Sequence, residues 1–296
     1  MHITLRQLRL VLAIAEAGSI TAAARSQHIT QPTASTQLQQ LARSIGMPVH
    51  ETVGRRLQLT AAGRALADSA RSIEHEYQSL RQRLDALKGL ELGTLKVAVV
   101  STAKYFVPRL LGEFCKLHPG IDVALEILNR DRVVERLEQR LDDLYVMSLP
   151  PSHLDLAVAV LRDNPLVVIA PAKHPLTRTK NIPLEKLSAE RFILREQGSG
   201  TRMATDNHLR KCRFTPLVRM ELGSNEALKE AVAGDLGIGV LSAHALATKA
   251  HMAGIKILDV KGFPIQAHWY VVSPGARSLS PAATAFKAHL LKSQTQ

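Results

Sequence analysis

Apolar residues in the first 60 positions recur at spacings of three and four, and polar turn residues interrupt them twice. This pattern predicts three helices, over residues 5–17, 21–27 and 31–45. Ser19 and Thr30 precede the second and third helices, where their hydroxyls can accept hydrogen bonds from free backbone N–H groups. The short break between these two helices is typical of a helix-turn-helix.

The third helix has one apolar face and one uncharged polar face. Its apolar positions, Ala34, Leu38, Leu41 and Ile45, follow spacings of 4, 3 and 4. Glutamine can pair bidentately with adenine, and serine or threonine can reach phosphates and base edges. A polar face that only meets water is the alternative, but the two-helix frame and the lack of acidic residues over 17–50 favour DNA. The expected DNA contacts in this region are Ser19, Thr30, Gln31, Pro32, Thr33, Ser35, Thr36 and Gln39.

Strand-like residues flank the segment Val53-Gly54-Arg55-Arg56, and this arrangement predicts a hairpin with a basic tip. The arginine side chain suits bidentate contacts with phosphate. We therefore expect Arg55 and Arg56 to contact the sugar–phosphate backbone or the minor groove of DNA.

A long helix is predicted after the hairpin, with Thr60 as its N-cap. Its apolar residues alternate between spacings of 4 and 3, which is the heptad pattern of a helix that packs against another helix. A helix that packs on its own domain can have the same stripe, but the strict alternation favours a dimer interface. The stripe comprises Leu66, Ala70, Ile73, Tyr77, Leu80, Leu84 and Leu87.

Short apolar strands alternate with helices in the remainder of the chain, beyond a linker marked by Gly89 and Gly93. The first strand is 95–101, and the strand 165–171 opens a second unit. A helix from Pro281 closes the sequence. This alternation predicts a largely parallel sheet in each of the two units.

The composition supports a polyanionic partner. The chain has 296 residues and a formal net charge of +12, and residues 1–64 contain seven arginines, no lysine and two acids. Two cysteines, Cys115 and Cys212, are too few for a disulfide framework and indicate a reducing compartment. No run of eighteen apolar residues occurs, and Glu16 interrupts the apolar N-terminal segment, which fits a helix better than a signal peptide. We expect a cytoplasmic protein with no membrane partner.

The sequence offers little catalytic chemistry. Its twelve histidines form no H-E-x-x-H or similar metal-ligand spacing, neither cysteine lies beside a histidine, and no G-x-S-x-G or Walker-type motif occurs. We expect no enzyme activity, no metal and no cofactor. An enzyme and a stand-alone solute-binding protein are the alternatives, and the basic N-terminal region argues against the second.

Four segments carry a family resemblance: "GSITAAARSQHITQPTASTQLQQLARSIGMPV", "GRRLQLTAAG", and, at the appropriate spacing, "LKVAV" and "HPLT". Together they resemble the LysR-type transcriptional regulators over essentially the whole chain. His50-Glu51-Thr52 departs from the family's usual Phe-Glu-Arg before the wing, and Ala42 replaces the usual acid in the third helix.

The resemblance implies an N-terminal all-α winged helix-turn-helix with a long linker helix. It further implies a C-terminal α/β effector domain of two Rossmann-like lobes, similar to periplasmic binding proteins. Implied partners are double-stranded promoter DNA, further copies of the chain in a dimer of dimers (a homotetramer), RNA polymerase and a small anionic effector. The implied boundaries are 1–59 for DNA binding, 60–90 for the linker helix and 91–296 for the effector domain, with lobe I at 91–163 and 268–296, lobe II at 164–267, and crossings near Arg162–Pro165 and His268–Val272.

Ligands of two-lobed α/β proteins bind between the lobes, where strand C-termini and helix N-termini meet. Ser101 and Thr102 follow a buried strand and precede a helix, so their hydroxyls and the free N–H groups suit an anion. Across the cleft, "GSGTR" opens another helix, and its Arg202 offers a fork for carboxylate or phosphate, while Asn225 is expected to cap a third helix. The expected effector contacts are Ser101, Thr102, Ala103, Asn129, Met147, Ser199, Gly200, Thr201, Arg202 and Asn225.

Five C-terminal segments narrow the resemblance: "NRDRVVERL", "PLVVIAPAKHPL", "ILREQGSGTR", "SNEALKEAV" and "LSPAATAF". They are similar to the regulators of Calvin-cycle (RuBisCO) operons, which respond to phosphorylated or nucleotide metabolites. The resemblance therefore implies a small anionic effector, with phosphate preferred over carboxylate.

Overall fold

The computed structural model describes residues 2–53, 56–87, 92–246, 254–275 and 278–293. Within these ranges the chain forms two compact units, and each is described by itself. The N-terminal unit holds four helices and a hairpin, and the C-terminal unit holds two five-stranded sheets with their helices. None of the helices in these ranges is both long enough and apolar enough to cross a membrane.

The N-terminal unit has the predicted winged helix-turn-helix arrangement. The second helix begins one residue earlier than predicted, and the antiparallel hairpin follows the third helix. The hairpin tip, with Arg55, lies outside the described residues. The elements are α1 (Leu5–Ala17), α2 (Ile20–Ser26), α3 (Gln31–Ile45), β1 (His50–Val53), β2 (Arg56–Leu59) and α4 (Ala61–Leu87).

Local capping chemistry explains why these helices begin and end where they do. Thr4 and Gln7 form a capping box at the start of α1, and Gly18 ends that helix in the left-handed conformation, with φ of 64°. Ser19 and Thr30 are the N-caps of α2 and α3, as predicted. Each of these signals acts within four residues, so the sequence alone is sufficient to place them.

The core of the N-terminal unit is built from the apolar faces of α1, α2 and α3. Val11 and Ala23 are fully buried against Ala34, Leu38 and Leu41 of α3. This packing fixes the orientation of α3 and leaves its opposite face in solvent.

The stripe along α4 has two different environments. Leu66 and Ala70 pack into the core of the N-terminal unit. Further along, Ile73, Tyr77, Leu80 and Leu84 keep 41–47% of their surface exposed, a large fraction for apolar side chains aligned on one face. The side chain of Leu87, the last position of the stripe, lies outside the described part of the chain.

The C-terminal unit contains two mixed sheets. The first has the strand order β4-β3-β5-β12-β6 and forms lobe I with α5, α6 and α9, and the second has the order β11-β7-β10-β8-β9 and forms lobe II with α7 and α8. The elements are β3 (Gly93–Val100), α5 (Val107–Leu117), β4 (Ile121–Leu128), α6 (Arg130–Glu138), β5 (Leu144–Met147), β6 (Leu156–Asp163), β7 (Leu166–Pro171), β8 (Arg191–Arg195), α7 (Gly200–Lys211), β9 (Leu217–Leu222), α8 (Asn225–Ala233), β10 (Ile238–Ser242), β11 (Ile255–Leu258), β12 (His268–Pro274) and α9 (Pro281–Lys292).

The prediction of largely parallel sheets holds for four of the five strands in each sheet and is wrong for β12 and β7. β3 is parallel to β4 and β5, and β8 is parallel to β9 and β10. By contrast, β12 is antiparallel to β5 and β6, and β7 is antiparallel to β10 and β11. The reason is that β12 and β7 lie next to the crossings between the lobes and run against the other four strands of their sheets.

The two crossings lie side by side. We call residues 163–166 and 265–268 the hinge strands. Asn164 N–H donates to Ala267 O at 2.7 Å, and Leu166 N–H donates to Ile265 O at 3.0 Å. The second crossing therefore begins a few residues earlier than predicted. A pair of antiparallel connections of this kind permits closure of one lobe on the other without breaking either sheet.

Candidate functional site

The exposed face of α3 carries uncharged polar side chains opposite its core-packed face. Gln31, Thr33, Thr36 and Gln39 are exposed, as is Pro32 in the first turn, and α3 contains no acidic residue. The face therefore offers donors and acceptors without repelling a polyanion. These polar positions all lie within the first nine residues of α3.

Gln31 is held in place by its neighbour one turn along. Its Nε2 donates to Ser35 Oγ at 3.0 Å. That contact uses one of the two amide hydrogens, so the other hydrogen and the amide oxygen remain for a base edge. An amide already positioned in this way loses less conformational freedom on binding and suits a bidentate contact with adenine.

Three of the expected DNA-contact residues form hydrogen bonds with the protein backbone through their side chains. Ser19 and Thr30 each accept a hydrogen bond from the N–H three residues along, at 3.1 and 3.4 Å, and Thr36 donates to Pro32 O at 3.0 Å. These contacts set the helix starts and hold the Thr36 hydroxyl against the helix. Arg56 begins β2 opposite Val53 in the hairpin register.

A buried arginine joins the two lobes of the C-terminal unit. Arg195, the last residue of β8, is 1% exposed. Its Nη1 donates to Asn225 Oδ1 at 2.6 Å, its Nη2 donates to Ser101 Oγ of lobe I at 3.2 Å, and its Nε donates to Glu196 Oε2 at 2.8 Å. One guanidinium thus reaches both sides of the cleft.

Arg195 is not among the residues expected from the sequence to contact the effector. The signal was its place at the carboxyl end of a buried strand, directly before the glycine-rich turn, because ligand sites of α/β sheets form at that edge. The strand "RFILR" begins and ends with arginine, and only the second is at the carboxyl end.

A second contact between the lobes centres on Glu226 in the first turn of α8. Lys104 Nζ donates to its Oε2 at 2.8 Å, and the Tyr105 hydroxyl donates to its Oε1 at 2.7 Å. Burial by itself raises the pKa of Glu226, but these two hydrogen bonds outweigh burial and lower the pKa to about 2. The carboxylate is therefore ionised at neutral pH and holds lobe I to lobe II.

Arg202 is already engaged by protein groups. Its Nε donates to both oxygens of Asp206, and its Nη1 donates to Glu221 Oε1 at 2.6 Å and to Arg195 O at 2.9 Å. Two carboxylates offset its charge, so the expectation that Arg202 presents an open fork to the cleft is wrong in this structure.

The other lobe I residues differ in how far they face the cleft. Ala103 and Met147 are fully buried in the lobe I core, so their side chains pack against lobe I in this structure. Thr102 is nearly buried, and its Oγ1 accepts from Trp269 Nε1 at 3.1 Å. Asn129 Oδ1 accepts from the N–H of Arg132 at 3.1 Å and so fixes the start of α6.

Asn225 does not cap α8. The cap is Ser224, whose Oγ accepts from Ala227 N–H at 3.0 Å, and Asn225 is the first helical residue. The side chain of Asn225 instead turns toward Arg195, so it positions the guanidinium rather than the helix end.

The glycine-rich turn brings the start of α7 close to lobe I. Ser199, Gly200 and Thr201 are buried. Gly198 has φ of 79°, and a Cβ on Gly200 would collide with Ser148 Oγ of lobe I. The close approach of the two lobes here leaves room for a larger residue at position 200 only if the Ser148 hydroxyl moves.

An open cavity of about 270 Å³ lies between the lobes beside the hinge strands, and we call it the hinge cavity. Ser148 of lobe I, Thr201 of α7 and the hinge residues Asn164 and His268 line it. Of these, only Thr201 was expected from the sequence. The others lie on strands or loops whose position beside α7 depends on how the two crossings pair.

The described side chains offer little metal or thiol chemistry. Within the described ranges, no group of three or more His, Cys, Asp or Glu side chains is placed to hold a metal ion. Cys212 Sγ lies 3.8 Å from His208 Nε2, a proximity created by one turn of α7 that the sequence analysis overlooked.

Each of the two units matches a known protein family. Residues 5–64 match the family described as bacterial regulatory helix-turn-helix protein, lysR family, and residues 88–295 match the LysR substrate binding domain. The transcriptional activator CmpR of Synechocystis sp. is 46% identical over 287 residues, which cover 97% of this chain and 94% of that protein. A RuBisCO operon transcriptional regulator of Acidithiobacillus ferrooxidans is 44% identical, with 98% of this chain and 94% of that protein covered.

A solved structure is similar to the C-terminal unit. The regulatory domain of Synechocystis CcmR in complex with 2-PG is 45% identical, with a TM-score of 0.67, and the match covers 69% of this chain and 98% of that domain. The matches to both units, together with the winged helix-turn-helix and the two-lobed fold, show that this chain belongs to the LysR family of DNA-binding transcriptional regulators.

Proposed function

We propose that this regulator controls a carbon-fixation or related metabolic operon and that a small phosphorylated anion, bound between lobes I and II, modulates its binding to the promoter. The likeness over both units to regulators named for the RuBisCO operon supports the choice of operon. The 2-PG complex of a domain 45% identical to this one supports a phosphorylated anion. Such a regulator acts in the cytoplasm, where promoter DNA is found, and catalyses no reaction.

The observation that carries the ligand proposal is the buried Arg195. It reaches Ser101 in lobe I and Asn225 in lobe II, and among the described residues Glu196 is the one carboxylate paired with it. An anion placed between the lobes would find this guanidinium together with the N–H groups at the starts of α7 and α8. Ser101, Ser199, Gly200 and Thr201 remain proposed contacts, and Arg195 takes the place of Arg202.

The ion pair between Lys104 and Glu226 would link anion binding to lobe closure. Lys104 is bound to Glu226, so an incoming anion that attracts Lys104 competes with an internal carboxylate. Binding of ligand would then shift the population between two degrees of lobe closure. We propose that this shift alters how paired N-terminal units engage DNA.

Assembly follows from the exposed part of the α4 stripe. Four aligned apolar side chains on one helix face are best covered by the same face of a second copy, because a two-fold symmetric interface uses one patch twice. We propose a dimer through α4 and a dimer of dimers at the promoter. Contact with RNA polymerase is proposed on family membership alone.

Gln31 is the residue that we propose reads a base. Replacement Gln31→Ala should relax the sequence preference at one position in each half-site, because the amide can pair with adenine and alanine cannot. The expected cost is about 1–3 kcal/mol per lost contact. Binding is measured on a site selected by the wild-type protein from random duplex DNA and on single-base variants of that site.

Gln40→Ala is the matched control. Gln40 is also an exposed glutamine of α3, but it lies two and a half turns further along, beyond the proposed contacts. It should leave the preference intact. If Gln31→Ala weakened binding equally on the selected site and on random DNA, base readout by Gln31 would be contradicted. If the sequence preference stayed intact, another residue would read that base.

A further inference from the structure

The hinge cavity adjoins the proposed anion contacts at Gly200 and Thr201 and extends beyond them to the hinge strands. Among the described residues that line it, the only Lys or Arg is Lys211, at the end of α7, and none is an Asp or Glu. Thr201 and Ser148 add hydroxyl groups from opposite lobes. The cavity therefore has room and charge for part of an anionic ligand that reaches beyond Arg195.

Asn164 in the first hinge strand provides the second observation. It is 3% exposed, and its side-chain Oδ1 is buried without a hydrogen-bond partner in the described part of the chain. Its backbone N–H is occupied by Ala267 O. A buried carboxamide oxygen without a partner is destabilising, and nearly all such groups are satisfied in native proteins. Asn164 lines the open hinge cavity, and its Oδ1 can only accept a hydrogen bond.

We propose that the hinge cavity selects an anion that carries a hydroxyl group, with the hydroxyl donating to Asn164 Oδ1 and a negatively charged group directed toward Lys211. This inference rests on the proposed function, because it specifies which anions the cleft between the lobes prefers. A hydroxyl group can donate a hydrogen bond without changing the net charge of the anion. A site built around a buried acceptor discriminates against an analogue that lacks the donor.

Two probes separate the hydroxyl from the charge. They are 3-phosphoglycerate and 3-(phosphonooxy)propanoate, which have the same two anionic groups and chain length and differ only in one hydroxyl. Calorimetry on the full chain should give at least fivefold tighter binding of the hydroxylated probe. Asn164→Ala should reduce that ratio to below twofold and leave the affinity for the deoxy probe unchanged.

Three further variants keep the test independent of folding. Asn164→Leu fills the space without an acceptor and should behave as Asn164→Ala does, and thermal denaturation checks that both are folded. Lys211→Gln should weaken both probes by a similar factor. Asn207→Ala is the control, because Asn207 also lines the cavity but is exposed and already accepts from Arg210, so it should preserve the ratio.

The outcomes distinguish this inference from the proposed function. If the wild type binds both probes equally, or if Asn164→Ala keeps the ratio, the inference is overturned and a water molecule is the partner of Asn164, while the anion site stands. If neither probe nor 2-phosphoglycolate binds the wild type, the proposed function fails, and the inference fails with it.

Discussion

Replacement of Leu80 and Leu84 by lysine is expected to produce species smaller than a dimer and to abolish tight binding to the operator. Each of these leucines is nearly half exposed in the single chain, and burial of a leucine in an interface stabilises by about 1.5–3 kcal/mol. A symmetric interface counts each position twice, and the variant also places four ammonium groups in an apolar contact. We expect a loss of at least about 100-fold in operator affinity, since about 2.7 kcal/mol is sufficient for that factor.

Light scattering gives the mass of the variant, and a mobility shift gives its affinity for the selected site. Gln78→Lys is the control, because Gln78 is exposed on α4 outside the stripe and its replacement places a lysine there. That variant should keep the native mass. A native mass for the Leu80→Lys, Leu84→Lys variant would contradict the proposed role of the α4 stripe.

Arg195→Lys is expected to lower the affinity for a phosphorylated anion by at least about tenfold, which corresponds to 1.4 kcal/mol. Lysine keeps the positive charge but has no planar fork, so it cannot reach Ser101, Glu196 and Asn225 together. The variant should also destabilise the C-terminal unit, by about 1–3 kcal/mol if the buried Asn225 is left without its partner.

Arg191→Lys is the matched control for this variant, because Arg191 begins the same strand and is exposed. Calorimetry with 2-phosphoglycolate and thermal denaturation without ligand give the two readouts. Arg191→Lys should change neither. If Arg195→Lys bound the anion as tightly as the wild type does, Arg195 would not be an anion contact.

The N-terminal unit could be predicted closely because its signals are local. Ser19 and Thr30 cap their helices through contacts three residues long, and the spacing of Ala34, Leu38 and Leu41 identifies the buried face directly. The exposure of Gln31 follows from the same spacing. None of these features depends on a partner distant in sequence.

The cleft was predicted less well because its geometry depends on distant partners. Arg195 and Arg202 are seven positions apart, and both lie near the glycine-rich turn. Glu221 of β9 pairs with Arg202, while Ser101 of lobe I accepts from Arg195. Which arginine faces the other lobe is therefore decided by contacts of 19 and 94 residues in separation, which sequence spacing does not encode.

The antiparallel strand pairs were missed for a related reason. An apolar run such as β12 has the composition of any buried strand, and its direction in the sheet is set by the crossing that precedes it. The position of Asn164 beside the hinge cavity has the same origin. Its polarity was visible in the sequence, but its burial without a partner was not.

The most direct test of the central claim is a mobility-shift titration of the full chain on its selected DNA site, with and without 2-phosphoglycolate. The account predicts specific binding whose affinity or complex mobility changes when the anion is added, and no such change for the Arg195→Lys variant, which should still bind the DNA. Specific DNA binding that is identical with and without 2-phosphoglycolate, 3-phosphoglycerate and other phosphorylated anions would contradict it.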